Sequence, residues 1–262
     1  MCGRFSLLHS PEEVQAFFAL EELEDFPPRY NIAPTQPILT VVPAPQPDPG
    51  SNRPDRAAIL MRWGLIPSWV KDPKEFPLLI NARSETAAQK NSFRAAMRHR
   101  RVLVPASGFY EWRRDKPAKQ SQAYWVRTAD GGPVAFAGLA ETWMGKDGSE
   151  IDTVAILTTA ATPQFARIHD RMPVAIPPHE FARWLDCMNQ EPRDVADLLR
   201  PAEDGFFEPV PVADLVNKVA NSGPEIQDRV EPKPFAADGG QGEAPDEGET
   251  HDKPGGDQMK LL

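Results

Sequence analysis

Short apolar runs separated by turn-forming segments fill the middle of the chain. Each run is rich in β-branched or aromatic residues, and the gaps between the later runs are rich in lysine or glycine. Runs of this kind occupy residues 38–42, 59–63, 101–105, 109–113, 123–127, 134–139 and 154–158. Consecutive strands with short turns predict mixed, mostly antiparallel β-sheets that approach a closed barrel.

Helical patterns occur before, between and after these runs. Residues 10–13, Ser-Pro-Glu-Glu, predict a helix start, because serine can cap, proline suits the first helical position and glutamate completes a capping box. Apolar residues at positions 14, 17 and 18 follow at helical spacing. Ser92 is expected to cap a basic helix that runs through Arg98, and further helices are expected over 179–187 and 194–200.

Two segments depart from the pattern of a packed domain. Prolines at positions 43, 45, 47, 49 and 54 exclude a helix or a central strand, so residues 43–58 are expected to be an exposed loop insertion. The end of the chain is rich in glycine, proline and acidic residues, which predicts a disordered acidic tail over 233–262. Residues 2–232 are expected to form one α+β domain with peripheral helices.

The composition is that of a globular protein in a reducing compartment. Charged residues make up 26% of the 262 residues, and no apolar stretch approaches the length of about 18 residues that a membrane helix needs. The first residues lack the apolar core of a secretory signal. Two cysteines, Cys2 and Cys187, are too few for a disulfide framework. We therefore expect a cytoplasmic protein of the bacterial cytosol or nucleoid, with no membrane partner.

The net charge of −9 argues at first against a nucleic-acid partner. The charge is uneven, however. Residues 81–128 hold eleven bases and three acids, whereas 231–262 hold eight acids and three bases. Because the local field is what attracts a polyanion, an acidic chain can still present a basic face. A solvated charged surface is the alternative reading of the same block.

Cys2 carries unusual chemistry if Met1 is removed. The new terminus would hold an α-amine and a thiol on adjacent carbons, with reference pKa values of about 7.7–8.0 and about 8.5. An aldehyde condenses with such an amine to a Schiff base, and the thiol then closes a five-membered thiazolidine. The same residue could act as a nucleophile in amide chemistry, or it could be an accidental cysteine at a frayed end.

Six short motifs follow one another along the chain. They are Met1-Cys2-Gly3-Arg4, Asn31-Ile32-Ala33-Pro34, Trp63-Gly64-Leu65-Ile66-Pro67-Ser68-Trp69, Asn81-Ala82-Arg83-Ser84-Glu85-Thr86, Pro105-Ala106-Ser107-Gly108-Phe109-Tyr110-Glu111-Trp112 and Ile168-His169-Asp170-Arg171-Met172-Pro173. In this order they resemble the SRAP family, the SOS response-associated peptidases or abasic-site processing proteins. The resemblance runs from Met1 to about Pro232. It implies a single SRAP-type domain whose N-terminal cysteine, at the floor of a basic cleft, captures abasic sites in single-stranded DNA through a thiazolidine.

The resemblance implies chemical roles for four residues. Cys2 matches the nucleophile, Asn81 a residue that hydrogen-bonds the opened sugar or the terminal amine, and His169 the group that protonates the sugar ring oxygen. Strand alternation places Glu111 opposite its neighbours Tyr110 and Trp112, and a half-buried carboxylate there could take a proton from the Cys2 amine. By residue type alone, Asn81 could be a turn residue, Glu111 a partner of an arginine and His169 a structural histidine.

Further positions match DNA contacts of the family. Arg83 and Arg171 would bind phosphates, although Arg83 could be a surface arginine, and Trp69 and Pro34 would stack or wedge beside unpaired bases. The whole predicted DNA-binding set is Arg4, Pro34, Trp69, Arg83, Lys90, Trp112, Thr158 and Arg171. Two departures stand out: Val70 replaces a second tryptophan of some members, and Asn91 replaces a basic residue that Lys90 could supply.

Two other functions stay open at this point. Cys2, His169 and Glu111 could form a cysteine-peptidase triad, with proteolysis confined to removing Met1, or the chain could bind single-stranded DNA without covalent chemistry. We expect no metal and no cofactor, because no Cys/His cluster has ligand spacing and no glycine-rich phosphate loop occurs. We expect a monomer, and the sequence leaves a replication-fork partner open.

Overall fold

The computed structural model describes residues 2–44, 55–115 and 120–234. Most of the predicted insertion and nearly all of the predicted acidic tail lie outside these residues. The insertion is shorter than the expected 43–58, because Pro43 pairs with Arg56 and residues 56–58 belong to a strand. Across the described ranges, no helix is long and apolar enough to cross a membrane.

The described residues form twelve strands and four α-helices. The strands are β1 (Phe5–Leu7), β2 (Arg29–Ile32), β3 (Pro37–Pro43), β4 (Arg56–Trp63), β5 (Asn81–Arg83), β6 (Arg101–Ala106), β7 (Gly108–Asp115), β8 (Gln120–Thr128), β9 (Val134–Met144), β10 (Glu150–Ala160), β11 (Arg171–Pro173) and β12 (Phe207–Val212). The helices are α1 (Pro11–Phe18), α2 (Ser84–Ala87), α3 (Arg94–His99) and α4 (Phe181–Leu185). Short 3₁₀ turns cover Phe165–Arg167, Pro178–Glu180, Pro192–Leu198, Asp214–Asn217 and Pro224–Gln227.

Five strands close into a barrel. They pair in the order β10-β4-β3-β6-β9, and β9 pairs back onto β10 from Gly138↔Ile156 to Met144↔Glu150. Strands β4 and β5 run parallel to β10, whereas the other pairings among described strands are antiparallel. The prediction of mixed, mostly antiparallel sheets that approach a barrel in a single domain is therefore confirmed.

A second, antiparallel sheet covers one side of the barrel. Its order is β12-β8-β7-β1-β2. The Phe5 ring of β1 meets Trp63 of β4 edge-on with centroids 5.1 Å apart, and Phe109 of β7 meets Phe136 of β9 at 5.9 Å. The main hydrophobic core lies between the two sheets and inside the barrel. The outer face of the second sheet carries Tyr110 and is covered by the turns around residues 214–227.

Helix α1 forms as its sequence predicts. The Ser10 hydroxyl accepts from the Glu13 N–H and the Glu13 carboxylate accepts from the Ser10 N–H, a capping box of the kind whose loss costs about 1 kcal/mol. Ala19 ends the helix in the left-handed conformation at φ 52°. The buried face packs Phe18 against Phe181 of α4, with stacked rings 5.2 Å apart.

Three of the predicted helices differ from the expectation. Ser92 does not cap the basic helix, because α3 begins at Arg94 and its N-cap position is Phe93 without a side-chain cap. The helix expected over 179–187 is shorter, since the Asp186 carboxylate accepts from the N–H groups of Met188 and Asn189 and turns the chain. The helix expected over 194–200 is a 3₁₀ turn that begins at Pro192.

Candidate active site

The segment that carries Cys2 lies along strand β7. The Arg4 carbonyl accepts from the Tyr110 N–H at 2.9 Å, and Phe5 pairs with Phe109, so the chain runs antiparallel to β7 toward Cys2. The Cys2 side chain is wholly buried, and its Sγ donates to the Arg4 carbonyl at 3.8 Å. Burial, reinforced by the negative charge of Glu111, raises the pKa of the Cys2 thiol. The Cys2 thiol and the Glu111 carboxylate are therefore close enough to interact electrostatically.

Glu111 is a buried carboxylate on the inner face of β7. Phe109 belongs to the main core and Tyr110 to the outer cluster, so the predicted alternation along β7 is confirmed. Only 3% of Glu111 is exposed. Burial raises the pKa of Glu111, opposed in part by His169 and by the backbone N–H of Trp112. A carboxylate with a raised pKa beside a nucleophile suits proton transfer near neutral pH.

His169 reaches Glu111 from the other sheet system. It follows the 3₁₀ turn at Phe165–Arg167 and precedes β11, and its Nε2 lies 4.0 Å from a Glu111 oxygen. Its Nδ1 accepts from the Arg171 N–H at 3.0 Å. The Nδ1 atom also lies 2.9 Å from an oxygen of Asp170, a contact that is favourable only when Nδ1 carries a proton. The Arg171 N–H and the Glu111 carboxylate instead favour the neutral tautomer in which Nδ1 accepts and Nε2 carries the proton that faces Glu111.

Strand β10 brings Asn81 and Thr158 to the same end of the barrel. Asn81 of β5 pairs with Ile156, and on the other edge of β10 Pro173 of β11 pairs with Thr158. The Asn81 Nδ2 donates to the Ile156 carbonyl at 3.5 Å, whereas its Oδ1 is buried without a hydrogen-bond partner. A buried acceptor without a donor is costly, so this oxygen is available to a hydroxyl or amine donor.

The sequence and the fold both match known proteins. A family model described as SOS response associated peptidase (SRAP) matches residues 1–219. The chain belongs to the SRAP family. The abasic site processing protein YoqW of Bacillus subtilis is 37% identical over 86% of this chain and 98% of its own length. YedK of Escherichia coli and HMCES of Mus musculus, which are also named abasic site processing proteins, are each 30% identical over 86% of this chain.

Solved structures share the SRAP fold of this chain. A protein from Bacteroides thetaiotaomicron superposes with a TM-score of 0.74, at 24% identity, over 88% of this chain and 100% of its own. A protein from Bordetella bronchiseptica superposes with a TM-score of 0.67, at 27% identity, over 81% of this chain and 100% of its own. The mixed-sheet barrel with a second sheet is therefore the common architecture.

The predicted DNA contacts of this SRAP domain fall into two groups. Arg83 and Lys90 are exposed, the Trp69 side chain is 57% exposed with its ring edge-on to Phe76, and Pro34 is half-buried in the turn after β2. These side chains can meet a ligand from solvent, and their contact with DNA stays a prediction.

The other four predicted contacts are engaged within the protein. Thr158 is wholly buried, and Arg171 is paired with Glu85. The Arg4 guanidinium donates to the Asn31 Oδ1 at 2.7 Å and to the Val216 carbonyl at 3.0 Å, on the outer face of the second sheet. The Trp112 Nε1 donates to Asn217 at 2.7 Å, also on that face and opposite Glu111. The structure therefore does not bring Arg4 and Trp112 to the side of β7 that holds Glu111.

Asn31 is a structural residue that the sequence did not single out. Its Nδ2 donates to the carbonyls of Lys218 and Asn221 at 3.1 and 2.7 Å, while its Oδ1 accepts from Arg4. Asn31 lies in one of the sequence motifs, but only the fold shows that its side chain holds the 214–221 segment in place.

The basic block of residues 81–128 does not form one basic face. Arg101 is fully buried and donates to four main-chain carbonyls, those of Met97, Trp184, Asp186 and Gln190. Three more of its arginines form ion pairs: Arg98 with Glu191, Arg100 with Glu141 and Arg127 with Glu208. Part of the block therefore holds the fold together, which the count of charges could not reveal.

Proposed function

We propose that this protein captures abasic sites in single-stranded DNA as a covalent thiazolidine on Cys2. The observation that carries the proposal is the burial of Cys2 beside Glu111, with His169 4.0 Å from the same carboxylate. Three relatives that align over 86% of this chain and are named abasic site processing proteins support it. Removal of Met1 is required, because the reaction needs the free α-amine of Cys2.

The reaction balances with one molecule of water released. The opened sugar presents an aldehyde, and the Cys2 amine adds to its carbon to give a carbinolamine. Loss of water leaves the Schiff base. The Cys2 sulfur then bonds to the same carbon, and the thiol proton passes to the nitrogen. The product is a five-membered ring that contains both atoms of the 1,2-aminothiol, and neither oxidant nor reductant is needed.

Two proton carriers fit these steps. Glu111 as a carboxylate accepts the ammonium proton of Cys2, which frees the amine for attack. His169 donates from Nε2 to the sugar ring oxygen and so opens the ring to the aldehyde. The vacant Oδ1 of Asn81 accepts from a sugar hydroxyl or from the amine. Arg83 and Lys90, which are exposed, would contact phosphates on either side of the lesion.

The raised pKa of the thiol favours amine attack first and ring closure second. A cysteine peptidase uses a thiolate whose pKa is lowered by a neighbouring positive group. At Cys2 the burial and the Glu111 charge act in the opposite direction. We therefore place general peptidase chemistry second and restrict it to the removal of Met1.

The test is an incubation with a single-stranded oligonucleotide that carries one abasic site, followed by a denaturing gel. A slow-migrating band is expected with the wild type. The band should be absent in Cys2→Ala and in protein whose N-terminus is blocked, since both lack half of the aminothiol. Cys187→Ala is the matched control, because it removes the other cysteine and leaves the terminus intact.

Each competing function predicts a different result. Cleavage of casein by the wild type without any covalent band would support the peptidase. Salt-sensitive binding of the oligonucleotide without a covalent band would support a non-covalent binding module. A covalent band that survives in Cys2→Ala would overturn the assignment of the nucleophile.

A further inference from the structure

The side chain of Arg171 is held by two partners beside the site. Its Nη1 and Nη2 donate to the two carboxylate oxygens of Glu85 at 2.6 and 2.9 Å, and Nη2 also donates to the Thr158 carbonyl at 2.5 Å. The Arg171 side chain is only 13% exposed. Bidentate, charge-assisted pairs of this kind are strong, and they also fix the orientation of the two side chains. The same contact lowers the pKa of Glu85.

The backbone of Arg171 also contacts His169. Its N–H donates to His169 Nδ1 at 3.0 Å, which makes that nitrogen an acceptor and places the imidazole proton on Nε2. Nε2 is the atom that lies 4.0 Å from Glu111. The groups that face the ring include the Arg171 N–H, the buried carboxylate of Glu111 and the exposed carboxylate of Asp170. At Nδ1 the Asp170 carboxylate favours a proton and the Arg171 N–H opposes it, so the Arg171 N–H is the contact that favours the Nε2–H tautomer.

Glu85 is itself placed by the site's own elements. Helix α2 begins at Ser84, directly after β5, so Asn81, Arg83 and Glu85 all belong to one short stretch beside β10. Arg171 begins β11, which pairs with the other edge of β10. The Glu85 carboxylate and the Arg171 guanidinium therefore join the strand that carries Asn81 to the strand that follows His169.

We propose that Glu85 is a positioning residue: it anchors Arg171, whose backbone N–H holds the His169 imidazole as the Nε2–H tautomer facing Glu111. The role in catalysis rests on the proposed function, whereas the role in holding the imidazole does not. An exposed ion pair without a task would contribute little. This pair differs because its arginine is nearly buried and is bonded through its own backbone to a histidine of the site.

The experiment compares Glu85→Gln with the wild type by two measurements. The first is a long-range ¹H–¹⁵N spectrum of histidine-labelled protein, with His169 assigned by the signal lost in His169→Gln. The wild type should show His169 as the Nε2–H tautomer, and Glu85→Gln should show a mixture of tautomers. The second is the rate of covalent capture, which should fall about tenfold in Glu85→Gln, a part of the roughly 10²–10⁴-fold that a positioned acid or base contributes. Glu85→Asp keeps the charge and should restore part of both.

Asp197→Asn is the matched control for loss of a carboxylate that pairs with an arginine. Asp197 binds Arg183 through a bidentate contact at 2.9 and 2.5 Å, and Asp197→Asn should leave both measurements unchanged. An unchanged tautomer in folded Glu85→Gln overturns the proposal, even if capture slows. A tautomer that changes while the wild type captures no abasic DNA supports the positioning role and refutes the proposed function. If Glu85→Gln does not fold by thermal melting, the spectrum of Glu85→Asp decides.

Discussion

Glu111 and His169 face each other with carboxylate and imidazole atoms 4.0 Å apart, although they lie far apart in the chain. Glu111 projects from β7 of the second sheet, and His169 precedes β11 at the edge of the barrel. Cys2 lies beside the same carboxylate. The candidate site is therefore built between the two sheets, where the proposed nucleophile, base and acid meet.

The rate of covalent capture should rise with pH through the pKa of Glu111. The base acts as a carboxylate, and burial raises its pKa above the ordinary 4.5, so the lower limb of the profile should lie above pH 4.5. Capture rates measured from pH 4 to 8 on the abasic oligonucleotide test this. Glu111→Gln should be slower by about 10²-fold or more and should lack that limb. If the rise in capture rate with pH persists in Glu111→Gln, the titration of another group is responsible for it.

The same burial should make Glu111→Gln more stable than the wild type at pH 7. Since the pKa is raised in the folded state, the folded protein binds the proton more tightly than the unfolded chain does. The contribution of Glu111 to the free energy of unfolding therefore falls as pH rises above its ordinary pKa of 4.5, and glutamine at this position does not undergo that loss. Urea denaturation at pH 4 and pH 7 should show the advantage of the variant growing with pH. A variant less stable at pH 7 would contradict this reading.

Two asparagines should respond differently to alanine. Asn81→Ala should slow capture with a change in stability below about 1 kcal/mol, because its Oδ1 has no partner in the fold. Asn31→Ala should cost about 2–3 kcal/mol or more, because it removes one of the two acceptors of Arg4 and the side-chain donor to the carbonyls of Lys218 and Asn221. Denaturant unfolding and capture rates measured on both variants separate the two roles. Equal stability losses would place Asn81 in the fold rather than in the site.

Replacement of Arg101 should damage the fold rather than DNA binding. Arg101→Met fills similar volume but leaves four carbonyls, two of them buried, without their Arg101 donors, with an expected cost of about 3–5 kcal/mol. Thermal or urea unfolding measures the loss. At a temperature where the variant is folded, its affinity for single-stranded DNA should equal that of the wild type. A weaker affinity in a variant of unchanged stability would indicate that Arg101 contacts DNA.

Arg83 and Arg127 should differ in the salt dependence of DNA binding. Arg83 is exposed at the end of β5, and its removal in Arg83→Ala should reduce the slope of log affinity against log salt by about 0.7, the value for one single-strand phosphate contact. Arg127 is paired with Glu208 at 2.7 Å, so Arg127→Ala should leave the slope unchanged. Titrations by fluorescence anisotropy at several salt concentrations compare them. Equal slopes in the two variants would show that Arg83 does not contact a phosphate.

The strands and the capped helix could be predicted from local pattern. The seven apolar runs all lie in strands, most of them longer than predicted, and the capping box of Ser10 and Glu13 starts α1 where expected. Short strands such as β5 and β11 were missed, because three residues carry too little periodicity and are extended only by pairing with β10. The helix expected from Ser92 failed because an adjacent turn, rather than a side-chain cap, starts α3.

By itself the sequence determined the chemistry that is available and the family to which the chain belongs. The features that determined them are local: a cysteine at position 2, the Asn-Ala-Arg motif and the order of six motifs. Such features can be recognised without knowing which residues are in contact. The tertiary structure decided which of these groups meet. It placed Glu111 4.0 Å from His169, left the Asn81 Oδ1 without a hydrogen-bond donor, and buried Arg101 where its guanidinium donates to main-chain carbonyls. The physical reason is that burial and charge pairing depend on contacts between segments far apart in the chain, and no local pattern of residue types specifies those contacts.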